Sequence, residues 1–300
     1  MLSRTSTRLV AFAAALAVTA GAAAAVGTST SATPPFQDCL KVAALEAGGD
    51  AEPMMEGGEE PMVEAVSGAH GLTSELAGLE IRPEPARFAA GGTTAWRFRI
   101  AGCDGEPVRD FEPENDKLLH LIVVRSDFTA YQHLHPKLDR RTGTFSIDVA
   151  TPRPGRYRAI ADFVVDGRKY VVGTDIVVSG VETLKPLPAE SYEGTVDGYD
   201  VELQRPAVLE AGDEAQMTFR VTRDGRPADG LEPYLGAYGH LVALHAPDLA
   251  YSHVHPNGED PGAGAITFDV ELEEPGDHRL YLQFQTGGRV HTVAFTQHVD

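Results

Sequence analysis

Cysteine is scarce in this chain, two residues in 300, and tryptophan occurs once. Two thiols cannot build a disulfide scaffold or a four-thiolate zinc site. Basic side chains are also short in supply, 25 Lys and Arg against 44 Asp and Glu. A nucleic-acid surface needs a concentrated basic patch, so a nucleic-acid partner is not expected. There is no Gly-x-Ser-x-Gly elbow, no phosphate-binding loop and no carboxylate pair in a readable context, which leaves hydrolase and nucleotide readings without support. The expectation is that the chain is not an enzyme. What is present is an acidic sequence of formal charge -19 with 31 Gly and 20 Pro. Its 42% hydrophobic content is enough for a core, and its length suits about two domains.

The N-terminal residues look like a targeting segment. Met1 to Arg8 carries two arginines and no acid, Leu9 to Val26 is uninterruptedly apolar or small, and Gly27 to Ala32 is small and polar. That is the layout of a secretory signal peptide, residues 1–32, with a membrane anchor as the rival. The expected location is secreted or extracytoplasmic. Residues 33–76 then hold nine acids against one base, Lys41, together with Met54, Met55, Met62 and His70. Phe36 to Leu45 suits one short helix, and the rest reads as an acidic flexible linker. Two readings stay open for it: a solvating spacer, or an arm whose thioethers and His70 hold soft metal such as Cu(I). Cys39 and Cys103 are candidates to pair in an oxidising compartment.

Beyond the linker the chain repeats itself. His120 to Pro136 matches His240 to Pro256 at a constant offset of 120, with Tyr131, His133 and His135 answering to Tyr251, His253 and His255. Asp104-Gly105 matches Asp224-Gly225 upstream. Downstream the offset becomes 121, so that Asp148 matches Asp269 and Phe163 matches Phe284. Each copy reads as all-β. Trp96, Phe98 and Ile100 alternate with polar residues, as do Phe145, Ile147 and Val149, the period of a half-buried strand. Asp166-Gly167, and Gly287-Gly288 in the second copy, sit between strand-like runs where a tight hairpin needs positive φ. About seven strands per unit of ~100 residues suit a two-sheet sandwich. The expected fold is therefore two tandem immunoglobulin-like or cupredoxin-like β-sandwich domains, residues 77–182 and 190–300.

Six of the eleven histidines fall in the repeated pattern H-x12-H-x-H. Residues i and i+2 of a strand share a face, so His133 and His135 present their imidazoles side by side. A hairpin turning near Asp127-Phe128 brings His120 across from His135, with Cβ atoms about 4.5–5.5 Å apart. His120, His133 and His135 can then share one ion, and His240, His253 and His255 a second. Three imidazoles with an open fourth position suit copper(II) or zinc, whereas Cu(I) prefers added thioethers. Tyr131 and Tyr251 share the His-x-His face, as outer-shell donors or as packing. His245, His278, His291 and His298 have no histidine counterpart in the first copy and read as surface residues.

The stretch from Glu232 through His240, followed by Asp248 to Pro256, resembles secreted, often actinobacterial proteins of the YtkA-like or heavy-metal-associated kind, and Leu119 to Pro136 is similar. The resemblance spans both repeats. It implies an extracytoplasmic sandwich that buffers, carries or senses copper or another heavy metal, with a membrane metal transporter or a surface protein as partner. Relatives carry methionines just before the first histidine; here Leu235, Ala237 and Tyr238 stand instead, and Lys117 and Leu118 in the first copy. Two alternatives accompany the metal reading. One is a non-catalytic cell-surface scaffold. The other is a cupin-like metalloenzyme built on His253-x-His255-x3-Glu259; the first copy has Asp139 where the Glu would stand.

Overall fold

A computed structural model describes residues 64–66, 70–252, 254–257 and 264–300. The expected signal segment 1–32, the helix 36–45, Met54, Met55, Met62, Cys39, His253 and Glu259 lie outside the described residues, as does the side chain of His255. Cys103 is disulfide-bonded. The described residues contain no α-helix, and none of their segments is a helix long and apolar enough to cross a membrane.

The described residues are all-β, with one two-sheet β-sandwich per repeat. In the first repeat, β2 (Glu75–Leu76), β3 (Leu79–Pro83), β4 (Gly92–Ala101), β7 (Lys137–Asp139) and β8 (Thr144–Thr151) form one sheet in the order β2-β3-β4-β8-β7. The facing sheet contains β1 (Glu64–Ala65), β5 (His120–Arg125), β6 (Gln132–Leu134), β9 (Gly155–Val165) and β10 (Arg168–Val178), in the order β1-β10-β9-β5-β6. Their inner faces meet in a core that includes Trp96, Phe98, Ile100, Phe145, Val149 and Phe163. The alternation read from β4 and β8 is the one that places these side chains inward. Asp166 (φ 50°) and Gly167 (φ 68°) make the β9–β10 hairpin, both in the left-handed region that the sequence called for.

The second repeat follows the same plan. One sheet has β11 (Glu193–Val196), β12 (Tyr199–Gln204), β13 (Glu214–Arg223), β19 (Ala265–Glu271) and β18 (His255–Pro256) in that spatial order, with β14 (Arg226–Pro227) on β13. The other has β15 (Leu231–Glu232), β20 (Gly276–Thr286), β16 (Gly239–His245) and β17 (Tyr251–Ser252) in that order, with β21 (Arg289–Val299) paired to β20. Their core includes Met217, Phe219, Phe268, Phe284 and Phe295.

A third apolar cluster joins the repeats. Ile122, Val124 and Ile160 of the first pack against Val242, Leu244, Tyr251 and Tyr281 of the second. This explains why β5 and β16 are buried along their whole length. On β5, Leu121 and Val123 fill the sandwich core while Ile122 and Val124 fill the seam. Trimming one methyl group there, Ile160→Val, is expected to cost about 1 kcal/mol. In urea the loss should lower the midpoint of a single transition shared by both repeats. Two separate transitions, only one of which moves, would show that the seam does not couple them.

The linker reading needs correction at its C-terminal end. Within residues 33–76, β1 pairs parallel with β10 and β2 pairs with β3, so the folded body begins before residue 77. His70 belongs to this folded part. Its Nδ1 lies 3.2 Å from the Tyr251 carbonyl and its Nε2 3.3 Å from Glu273. It ties the start of the first repeat to the second rather than arming a free metal-capturing segment.

Candidate metal centre

The site begins with strand register. β5 and β6 pair antiparallel with Ile122 opposite His133 and Leu121 opposite Leu134, which carries His120 opposite His135, as the hairpin argument required. The turn between them bends through Phe128 (φ 61°) and Ala130 (φ 56°). After Pro136 the chain leaves this sheet and joins the other as β7, so His135 stands at the crossing point. By parity, His120 lies on the same face as Ile122 and Val124. That face is the seam between the repeats, not the interior of one domain.

Three imidazoles meet there. Ring centroids are 5.2 Å apart for His120 and His133, 5.0 Å for His120 and His135, and 4.8 Å for His133 and His135. One ligand nitrogen from each lies within 4.8 Å of the others. An ion with bonds of about 2.0–2.1 Å places tetrahedral ligands roughly 3.3 Å from one another, so modest side-chain adjustment closes the triad on a metal.

Hydrogen bonds fix which nitrogens face inward. His120 Nε2 lies 3.0 Å from the Glu114 carbonyl. A carbonyl only accepts, so this nitrogen carries the proton and Nδ1 keeps its lone pair. His133 Nδ1 lies 2.8 Å from Gln283 Oε1 and donates to it, leaving the lone pair on Nε2. Those two lone pairs face each other at 2.9 Å. The third nitrogen, His135 Nε2, is buried with no hydrogen-bond partner. Two opposed lone pairs beside a buried ring nitrogen without a partner are compensated by a cation placed between them, and a buried unsatisfied group otherwise costs about 1–3 kcal/mol.

A proton is a poor candidate for that cation. Burial lowers the His120 pKa below the ordinary 6.5. Burial, followed by the neighbouring imidazoles, lowers that of His133 further. His135 is held down to about 3, first by burial and then by His120 and Lys117. The site keeps neutral imidazoles, the form that binds metal.

The carbonyl that orients His120 is itself well held. Asn115 (φ 48°) and Asp116 (φ 62°) form a tight turn between Glu114 and Lys117, and Lys169 Nζ grips the Glu114 carboxylate at 2.7 and 2.8 Å. The second repeat reproduces the device at the same offset. Leu235 (φ 54°) and Gly236 (φ 78°) turn between Tyr234 and Ala237, and the Tyr234 carbonyl lies 2.7 Å from His240 Nε2. His240 is buried on the seam, its ring 6.1 Å from that of His133. Of the second expected triad, His253 and the side chain of His255 lie outside the described residues.

Of the two roles open to the tyrosines, Tyr131 packs, stacking on Tyr281 with centroids 3.9 Å apart, while Tyr251 donates to Asp162 Oδ2 at 2.8 Å, both in the seam. The expectation for the remaining histidines is corrected. His245, His278 and His291 are buried, not on the surface. His245 stands at the position of Arg125 and serves the same corner: Arg125 donates to the Pro154 carbonyl at 3.0 and 2.9 Å, and His245 Nε2 lies 3.2 Å from that of Pro275. His291 replaces the buried Tyr170 and bridges Asp197 and Thr286 at 2.8 and 2.9 Å. Only His298 is exposed as expected, paired with Asp277 at 2.7 Å.

Comparison with known proteins adds a family. The model described as Domain of unknown function (DUF8832) matches residues 74–180 and again 194–300. No curated protein sequence matches the chain. Similar solved structures include a Salmonella alpha-2-macroglobulin reacted with methylamine, at 14% identity over 76% of this chain and 15% of that one, with a TM-score of 0.27. The Escherichia coli adhesin FdeC is similar at 10% identity over 74% and 64%, TM-score 0.25. The Yersinia pseudotuberculosis adhesin InvE is similar at 12% identity over 77% and 61%, TM-score 0.22. The chain spans less than two thirds of the length of each of these.

Proposed function

The chain belongs to the DUF8832 family, in two copies, and we propose that it is an extracytoplasmic protein that binds a transition-metal ion through His120, His133 and His135. The observation that carries this is the 2.9 Å approach of His120 Nδ1 and His133 Nε2 beside the partnerless His135 Nε2. All three ligands are neutral nitrogens, which selects ions that favour imidazole, Cu2+ and Zn2+, over Ca2+ and Mg2+, which favour oxygen. The repeat equivalence extends the same role to His240, His253 and His255. Binding and release, rather than turnover, is the function: the chain would buffer, hand over or sense the metal, with a membrane transporter or surface protein receiving it. The heavy-metal-associated resemblance of the sequence points the same way. The disulfide-bonded Cys103 and the signal-like residues 1–32 support an oxidising compartment outside the cytoplasm.

The test is a competition titration of the purified chain with Cu2+, Zn2+ and Ca2+ against a chromophoric chelator. Sub-micromolar Kd for copper or zinc, with no measurable calcium binding, is the expected result. No uptake of either transition metal would leave the non-catalytic scaffold as the better account.

A further inference from the structure

The triad does not belong to one repeat alone. Gln283 lies on β20, directly opposite His240 in the β16–β20 ladder. Its side chain is buried, with Nε2 donating to Thr292 Oγ1 at 3.1 Å and Oε1 accepting from His133 Nδ1 at 2.8 Å. The first repeat has Asp162 at the corresponding place, opposite His120 in the β5–β9 ladder. Asp162 also reaches across the seam, accepting from Tyr251 at 2.8 Å, on the segment that continues to His253 and His255. In each direction, the residue facing one repeat's first histidine contacts the other repeat's Tyr-x-His-x-His segment.

We infer that Gln283 is a positioning residue for the metal centre and that the centre is complete only when the second repeat is docked on the first. The inference rests on the metal reading above. Gln283 touches no ion. It holds the His133 proton on Nδ1, which aims the Nε2 lone pair at the point shared with His120 and His135. A ligand imidazole freed from such a partner rotates and changes tautomer, with losses of 10–100-fold in affinity in comparable sites. Metal uptake and seam packing then share one contact, so a loaded ion clasps the repeats and a loosened seam releases it.

The test uses the full chain and three variants, titrated with Cu2+ and Zn2+ as above. Gln283→Leu fills the same space without an acceptor and is expected to weaken binding of both ions about 10–100-fold. Gln283→Glu keeps an acceptor at the same reach and should bind as tightly as the wild type or more so. Gln283→Asn withdraws the amide by one methylene, so its loss should match that of Leu; it serves in its place if the Leu chain fails to fold. A purely structural role would change the melting of the metal-free chain and leave the affinities alone. Leu and Asn chains that bind like the wild type, or a Glu chain that binds as weakly as Leu, would overturn the inference while leaving the metal site standing. A wild-type chain that takes up neither ion removes both.

Discussion

Alanine at His133 is expected to weaken Cu2+ and Zn2+ binding at the first triad by more than about 100-fold, beyond what loss of an outer partner such as Gln283 produces. His133 supplies the nitrogen nearest to His120 Nδ1, at 2.9 Å, and its ring packs against both other members of the triad. Without it, His120 and His135 remain as two ligands with ring centroids 5.0 Å apart, too few to strip and hold an ion in a site built for three. The metal-free chain should tolerate the change, because alanine also removes one of the two opposed lone pairs. Chelator competition reads the affinity, and His298→Ala serves as control, since that exposed side chain pairs with Asp277 and Asp300, away from the triad. Equal binding by the His133→Ala and His298→Ala chains would place the metal elsewhere.

The fold and the triad were legible for local reasons. Alternation in β4 and β8 requires one buried face, Asp166-Gly167 requires a tight hairpin, and i, i+2 spacing with a hairpin brings His120 opposite His135. The seam was not legible, because it is a choice between equivalent surfaces. The run Leu121 to Val124 shows that both faces of β5 are covered, but nothing local says that the outer cover is a second copy of the same unit. The reading of one trihistidine site per repeat named candidate ligands but not the partner that Gln283 supplies from the other repeat. Gln283 was invisible for the same reason: a glutamine in a largely apolar strand carries no signal of what it faces. Aligning it at offset 121 with Asp162 would have marked two polar residues placed opposite two histidines. The same comparison would have recovered the buried histidines, since His245 replaces the clamp residue Arg125 and His291 replaces the core residue Tyr170.

Acidification is expected to destabilise the metal-free chain between pH 7 and 5, above the range in which carboxylates titrate. Burial holds His135 at about 3 and His278 at about 4, and lowers His120 and His133 as well, whereas an unfolded histidine titrates near 6.5. Below that value the unfolded chain takes up protons that the folded chain refuses. The stabilisation is therefore fully present above about pH 6.5 and is lost as the pH falls towards the folded values. At pH 5 a fully shifted histidine costs about 2 kcal/mol, with less from the partly exposed His135 because solvent screens it. His298 works in the opposite direction, raised by its bond to Asp277, but it is exposed and cannot offset four lowered rings. Bound metal should reverse part of the loss, since it stabilises only the folded state, by RT ln(1 + [L]/Kd). Urea unfolding at pH 7, 6 and 5, with and without Zn2+, measures both effects. Replacing His120, His133 and His135 together by glutamine should flatten the metal-free pH dependence to the part left by His278. It should also cut the zinc increment to the part that the second triad supplies. An unchanged slope in that variant would mean that the triad takes up protons in the folded chain as readily as in the unfolded one, and that its lone pairs are not held open for a metal.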